Sequence, residues 1–382
     1  MSASPIARRL LEATVGEHPV ISVVFDLNPA EFATAPARAT QASSLLDAAH
    51  NLETADQTLN HDARQAVRSD LERLKTYLGS EDLPVRGAGA LAIFVSGGSG
   101  LFETVALSQP LTSSIYLDRE PHIEPVVTEP AAQRWCAVLV SARDVTIDIG
   151  AGAAVVTRRS GSDYLRGHAQ SDGNDERSRE QDIEGHLIAV SQRLADDHRA
   201  GRFDVLAIGG PVDALTGLEA RLPDDLRSVL AGRLDVDPSA ATEADVAAAV
   251  GGLLAQAHAD VQRRTLAEFS DQLAAARGQD VPPRAVAGVA DVLEALAEQR
   301  VATLLLTGDF HAAGARCWRD GMLLPSDVSE CPADGTATGP VADLREPMIA
   351  AAVRQDAAVL VFTEPDATLR APEHRVGALL RF

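Results

Sequence analysis

The sequence predicts an α/β protein, mixed α+β in its strand directions and built as three domains. Short apolar runs rich in β-branched residues recur along the chain, each of a length that suits a buried strand. Between them lie stretches with apolar residues at helical spacing. With 382 residues, 46% of them hydrophobic, the chain has material for two or three cores. The expected divisions are residues 1–130, 131–279 and 280–382.

In the first third, Pro19–Leu27 (PVISVVFDL) and Ala88–Val95 (AGALAIFV) read as buried strands. Residues 40–79 read as two helices parted at Asn60-His61-Asp62, where Asn60 or Asp62 can cap. Ser96 to Gly100 (SGGSG) reads as a hairpin turn before a strand at Leu101–Leu107. No Lys-Ser/Thr follows it, so a phosphate loop is not indicated. The proline-spaced segment up to Pro130 reads as a domain exit.

The middle third opens with three alternating strand-like segments, Trp135–Val140, Val145–Ile149 and Ala153–Thr157. A polar, glycine-bearing stretch follows, Ser160 to Glu176 (SGSDYLRGHAQSDGNDE). Such long connections inside compact domains are uncommon and usually functional or disordered. Then come a helix over 177–198 (Ile183, Leu187, Val190, Leu194), a strand Asp204–Ile208 ending in Gly209-Gly210-Pro211, a helical stretch beginning at Glu219–Leu222, a strand Leu230–Val236 and a long helix from about Asp245 to Arg277. Three meander strands followed by alternating helices and strands imply a mixed sheet covered by helices.

The last third alternates helix Val286–Gln299, strand Val301–Leu306, helix Pro347–Gln355, strand Ala358–Phe362 and a terminal strand Val376–Phe382. Strands separated by helices imply parallel pairing with helices on both faces. Residues 325–340 read as a loop.

Composition narrows the function classes. The formal net charge is −21, with one lysine, Lys75. The three expected domains carry 9 basic and 17 acidic residues, 16 and 23, and 9 and 15. None is a basic platform, which argues against DNA and against non-specific nucleic-acid binding driven by counterion release. No apolar run is long enough to span a bilayer. The first twenty residues have no signal-peptide pattern. Three cysteines without CxxC spacing argue against a disulfide framework and suit a reducing cytoplasm. Cys317 and Cys331 with His311 match no zinc spacing, so buried thiols, no metal and no cofactor are expected. Ser96 and Ser99 lack a nucleophile-elbow context. Asp309 and His311, after a strand, read as a turn rather than a sheet-edge site.

The order of pieces resembles the archaeo-eukaryotic peptide-chain release factor and Pelota superfamily, in its bacterial, Balon-type branch. RWCAVLVSARDVTIDI, the long loop, a helix and DVLAIGGP are similar to the superfamily's ribonuclease-H-like middle domain. GVADVLEALAEQRVATLLLTGDF and HRVGALLRF resemble its last domain, and PVISVVFDLNP its first. The resemblance implies a tRNA-like body that enters the ribosomal A site. It places residues 160–176 at the tip facing the peptidyl-transferase centre. In release factors a Gly-Gly-Gln on that loop lets the backbone approach the ester and orients a water. This chain has Gly167-His168-Ala169-Gln170 instead. Some relatives use a relaxed Gly-x-x-Gln, so Gly167 and Gln170 are the hydrolytic candidates. Stop-codon-reading motifs are not matched over residues 40–79.

Arg158, Arg159, Tyr164, Arg166, Gly167, His168, Gln170, Arg177 and Arg179 are the candidate ribosome-contacting residues, since arginine suits phosphate forks. Asp163, Asp172, Asp175, Glu176 and Glu180 balance the arginines in number, as in an ordinary solvated loop. Three readings follow. The first is a factor that occupies the A site of idle or stalled ribosomes without peptide release, with rRNA at the decoding and peptidyl-transferase centres and elongation factor Tu or a related translational GTPase as partners. The second is a peptidyl-tRNA hydrolase using Gln170. The third is a stress protein of this fold that does not bind ribosomes.

Overall fold

The computed structural model describes all residues except 1–4, 14–17, 29–30, 33, 57–58, 81–82, 84–88, 108–109, 130–133, 141–143, 152–153, 162–175, 277–282 and 363–374. It is a mixed α/β chain with four sheets among the described residues. The first part holds α1 (Pro5–Ala13), β1 (Val20–Asp26), α2 (Ala35–Ala55), α3 (His61–Leu78), β2 (Ala90–Ser96), β3 (Leu101–Leu107), β4 (Ser114–Asp118) and α4 (Glu124–Val127). The middle holds β5 (Arg134–Val140), β6 (Val145–Ala151), β7 (Ala154–Gly161), α5 (Glu176–Arg199), β8 (Val205–Gly209), α6 (Val212–Glu219), α7 (Asp224–Ser228), β9 (Leu230–Leu234) and α8 (Glu243–Ala276). The last part holds β10 (Ala285–Ala287), α9 (Val289–Ala297), β11 (Val301–Thr307), β12 (Gly314–Cys317), β13 (Leu323–Pro325), β14 (Thr338–Val341), α10 (Arg345–Arg354), β15 (Ala358–Phe362) and β16 (Val376–Leu380).

The first sheet, β3-β2-β1-β4, is antiparallel throughout. Ile21, Val23 and Phe25 of β1 face α2 and α3, packing on Leu45, Leu71 and Leu74. Asn60 caps α3, its Oδ1 accepting from Ala63 N at 2.8 Å, which satisfies an otherwise unpaired first-turn amide. The other face of the sheet carries Val20, Val24 and Phe94. These share one continuous core with Leu296, Leu306 and Met348 of the last part. The segment expected to be a domain exit is instead β4 and α4, and it is clamped onto α10.

That clamp is polar. Arg345, 8% exposed, donates Nε and Nη2 to the two Glu124 oxygens at 2.6 and 2.5 Å. Its Nη1 donates to the Thr307 and Phe310 carbonyls at 2.8 and 3.2 Å. The Glu346 carboxylate accepts from Ile123 N and lies 3.0 Å from His122 Nδ1. Glu120 receives Arg354 at 3.0 Å.

The middle sheet has the order β7-β6-β5-β8-β9, with β5–β6–β7 antiparallel and β5–β8–β9 parallel. This meander followed by a crossover is the mixed sheet covered by helices expected for the segment. Alternation along β5 divides two cores. Cys136, Val138 and Val140 meet α5, α6 and α7, while Trp135, Ala137 and Leu139 meet α8. Burial drives the Cys136 thiol far above its ordinary pKa, so it is an inert core group. The helix expected from Glu219 begins earlier. Val212–Glu219 forms α6, and Pro223 caps the short α7 rather than lying within a continuous helix. Gly210 makes the tight exit from β8: its φ is +146°, and a Cβ there would meet the Val140 carbonyl oxygen at 2.2 Å.

In the last part β11 and β15 pair in parallel, but β16 inserts antiparallel between β10 and β11. The sheet is therefore mixed rather than purely parallel. The terminal strand returns through the sheet centre, a pairing that local periodicity does not specify. The stretch expected to be a loop, 325–340, contributes to a small sheet, β13-β12-β14, whose strands are too short to carry a pattern.

His258 on α8 is half-buried, and burial depresses its pKa below the usual 6.5, partly opposed by Glu129. As pH falls below about 6.5 the unfolded chain takes this proton first. This contribution to stability is complete above that pH and lost below it. His258→Gln is expected to flatten the stability profile between pH 7 and 5 in urea titrations.

Candidate functional site

Residues 162–175, between β7 and α5, lie outside the described residues. They include Tyr164, Arg166, Gly167, His168 and Gln170, with Asp163, Asp172 and Asp175. Arg177 and Arg179 fall in the first turn of α5.

Arg158 and Arg159 stand on β7, an edge strand, where successive side chains point to opposite faces. Arg158 lies opposite Asp148 in the β6–β7 register, and Arg159 opposite Ile147. Asp148 is fully buried, on the α8 face of the sheet beside Ala137. Arg158 donates Nε and Nη2 to its two oxygens, both at 2.8 Å. Its Nη1 reaches the Ala241 carbonyl at 3.4 Å, and Glu243 at the head of α8 lies 4.0 Å from Nε. The pair is a planar, bidentate, charge-assisted contact in a partly desolvated place. The carboxylate raises the Arg158 pKa further.

Arg158 thus has its fork committed to the protein, while Arg159 on the opposite face keeps partial exposure. The acidic partner of Arg158 is Asp148, on the neighbouring strand, and none of the loop carboxylates that the sequence count set against it. A strand register was needed to see this pairing.

Beside the α5 wall an open groove of about 550 Å³ runs between α5 and the α6–α7 turn, lined by Ile188, Gln192, Asp196, Arg199 and Arg221 among others. Ser191 within it donates its hydroxyl to the Arg221 carbonyl at 2.8 Å. Arg199 is shared between Asp196 and Asp225. Two arginines and one aspartate line the groove, and among its lining residues no nucleophile stands against a general base.

Elsewhere the weighed candidates resolve into pairs. His311 Nδ1 lies 2.6 Å from Asp343 Oδ2, away from the cysteines it was considered with. The Asp343 carboxyl is held below its usual range, the His311 contact and backbone amides outweighing the burial that opposes them. Asp309 pairs with Arg375 at 3.1 Å. No helix among the described residues is long and apolar enough to cross a membrane.

No family model matches the chain, and no curated protein does. Among solved structures, an archaeal translation termination factor aligns over 99% of this chain and 97% of its own, at 17% identity and TM-score 0.23. Ribosome-bound archaeal Pelota, described together with ABCE1, covers 74% and 72% at 15% identity and TM-score 0.39. Saccharomyces cerevisiae Dom34, a translation termination-like factor interacting with Hbs1, covers 77% and 79% at 9% identity and TM-score 0.40. The architecture stands on the strand orders and registers given above.

Proposed function

We propose that this chain is a ribosome-associated factor that enters the A site of idle or stalled ribosomes and protects them without releasing peptide. The observation that carries the reading is the connection after β7. Residues 162–175 join β7 to α5 across the five-stranded sheet's edge, and they contain no Gly-Gly-Gln. A shielding role needs shape, stacking and phosphate contacts, and no catalytic group. Tyr164, Arg159 and Arg166, with Arg177 and Arg179 at the head of α5, are the groups assigned to rRNA. His168 lies in the same stretch. Arg158, held by Asp148, fixes the strand that leads into these residues. A translational GTPase, elongation factor Tu first among them, is the proposed delivery partner, and the cytoplasm the proposed location.

The test is sedimentation of the tagged chain with ribosomes from stationary-phase cells. The chain is expected in the 70S fraction. A glycine–serine replacement of 162–175 is expected to weaken its binding by about tenfold, the value of one or two charge-assisted contacts. Absence of the intact chain from the ribosomal fraction overturns the proposal. The Gly167-x-x-Gln170 pattern keeps a hydrolytic reading testable in the same preparation. Release of peptide from stalled complexes, lost in Gln170→Ala, would replace the shielding role.

A further inference from the structure

The small sheet of β12, β13 and β14 is built around two copies of one turn. Cys317-Trp-Arg-Asp320-Gly321-Met322 and Cys331-Pro-Ala-Asp334-Gly335-Thr336 share the pattern Cys-x-x-Asp-Gly. Their backbones match bond for bond. In the first, Cys317 N donates to Met322 O at 2.9 Å and Gly321 N to Cys317 O at 3.0 Å. In the second, Cys331 N donates to Thr336 O at 2.7 Å and Gly335 N to Cys331 O at 2.8 Å. Asp320 Oδ1 accepts from Met322 N and Asp334 Oδ1 from Thr336 N, both at 2.9 Å. Each turn closes on a glycine in the left-handed region, φ +76° at Gly321 and +69° at Gly335, where other residues are strained.

The two turns face each other. Cys317 and Cys331 are 1% and 2% exposed, and their sulfurs lie with an Asp334 oxygen within 4.8 Å of one another. Asp320 contacts the Cys317 thiol as Asp334 contacts that of Cys331, and the Arg319 and Asp320 amides point at the Cys317 sulfur. Paired knuckles of this form, with a ligand at the first and fourth positions of each, are how short β-turns present four donors to a tetrahedral ion.

We infer that Cys317, Cys331 and Asp334 form a structural site for a zinc-class divalent cation, with Asp320 beside it in contact with the Cys317 thiol. Two thiolates select a borderline-soft ion over magnesium or calcium. The metal takes the place of the two thiol protons, which are released to solvent. Arg319, 3.3 Å from Asp334 Oδ2, then serves as an outer partner of that carboxylate.

The test uses the full chain, purified under reducing conditions and freed of metal by chelator, titrated with cobalt(II). Expected are one equivalent bound per chain, thiolate-to-cobalt charge-transfer absorption, tetrahedral visible bands, and displacement of cobalt by zinc. Cys331→Ser is expected to weaken binding by more than about 100-fold, beyond the cost of losing a mere supporting neighbour. Asp334→Asn, which keeps the turn's hydrogen-bond acceptor, is expected to weaken it while circular dichroism stays unchanged. No cobalt uptake by the reduced wild-type chain overturns the inference. So does equal uptake by Cys331→Ser, or by a Cys317→Ser/Cys331→Ser double variant that folds normally.

Discussion

Arg345→Met is expected to lower the unfolding free energy by about 3–5 kcal/mol, the usual loss when one partner of a buried ion pair is removed. The guanidinium has four acceptors: both Glu124 oxygens and the carbonyls of Thr307 and Phe310. Methionine fills much of the volume and satisfies none of them. Glu124 would keep its charge at a site where only 19% of its side chain is exposed. Pairing Arg345→Met with Glu124→Leu is expected to recover most of the loss, because the stranded charge then goes too. Arg345→Lys should fall between, since an ammonium cannot match the bidentate fork. Urea unfolding followed through Trp135 and Trp318 measures all of these. An unchanged midpoint in Arg345→Met would mean that α4 and α10 do not hold together through this pair. The effect should be visible in both the first and last parts of the chain, because their apolar faces form one core.

The second large effect is expected at Asp148. It is fully buried, and Arg158 is its bidentate partner. Asp148→Ala leaves a guanidinium with the Ala241 carbonyl and a distant Glu243, and opens a void beside Ala137. A loss of about 3 kcal/mol is expected. Arg158→Ala strands the carboxylate and should cost a similar amount. Because β7 leads directly into residues 162–175, the proposed function also predicts reduced ribosome co-sedimentation for both variants. Arg159→Ala separates the two roles: it is expected to spare stability and, on the proposed function, to reduce ribosome co-sedimentation alone. A stability loss at Arg159 equal to that at Arg158 would contradict the assignment of opposite faces.

Much of this molecule is legible in order along the chain. The apolar runs at Pro19–Leu27, Ala88–Val95, Trp135–Val140, Asp204–Ile208 and Val301–Leu306 are strands because burial on both faces selects uninterrupted β-branched and aliphatic residues. Leu187, Val190 and Leu194 mark one stripe of α5 because a helix returns to the same face every three or four residues. The candidate tip is equally legible as a polar stretch that no period organises. Other parts were not. The proline-spaced segment before Pro130 gives no hint that β4 joins β1, or that Glu120, Glu124 and His122 meet α10. Those contacts join residues more than two hundred positions apart. The strand β16 reads as one more α/β repeat, yet it pairs antiparallel on both sides.

The cysteines mark the boundary most clearly. A repeated Cys-x-x-Asp-Gly stands in the sequence, with Gly and Asp as turn signals. What the sequence by itself determined is therefore the local vocabulary of this protein: strands, helices, caps, turns and the polar tip, each set by side-chain period and backbone conformation over a few residues. Only the tertiary structure decided which pieces meet: Arg158 with Asp148 across a register, Arg345 with Glu124 across the chain, and two cysteine turns face to face. Local forces act on neighbours in sequence. Burial and charge pairing act on neighbours in space, and the closure of long loops that brings those neighbours together leaves little trace in any one segment.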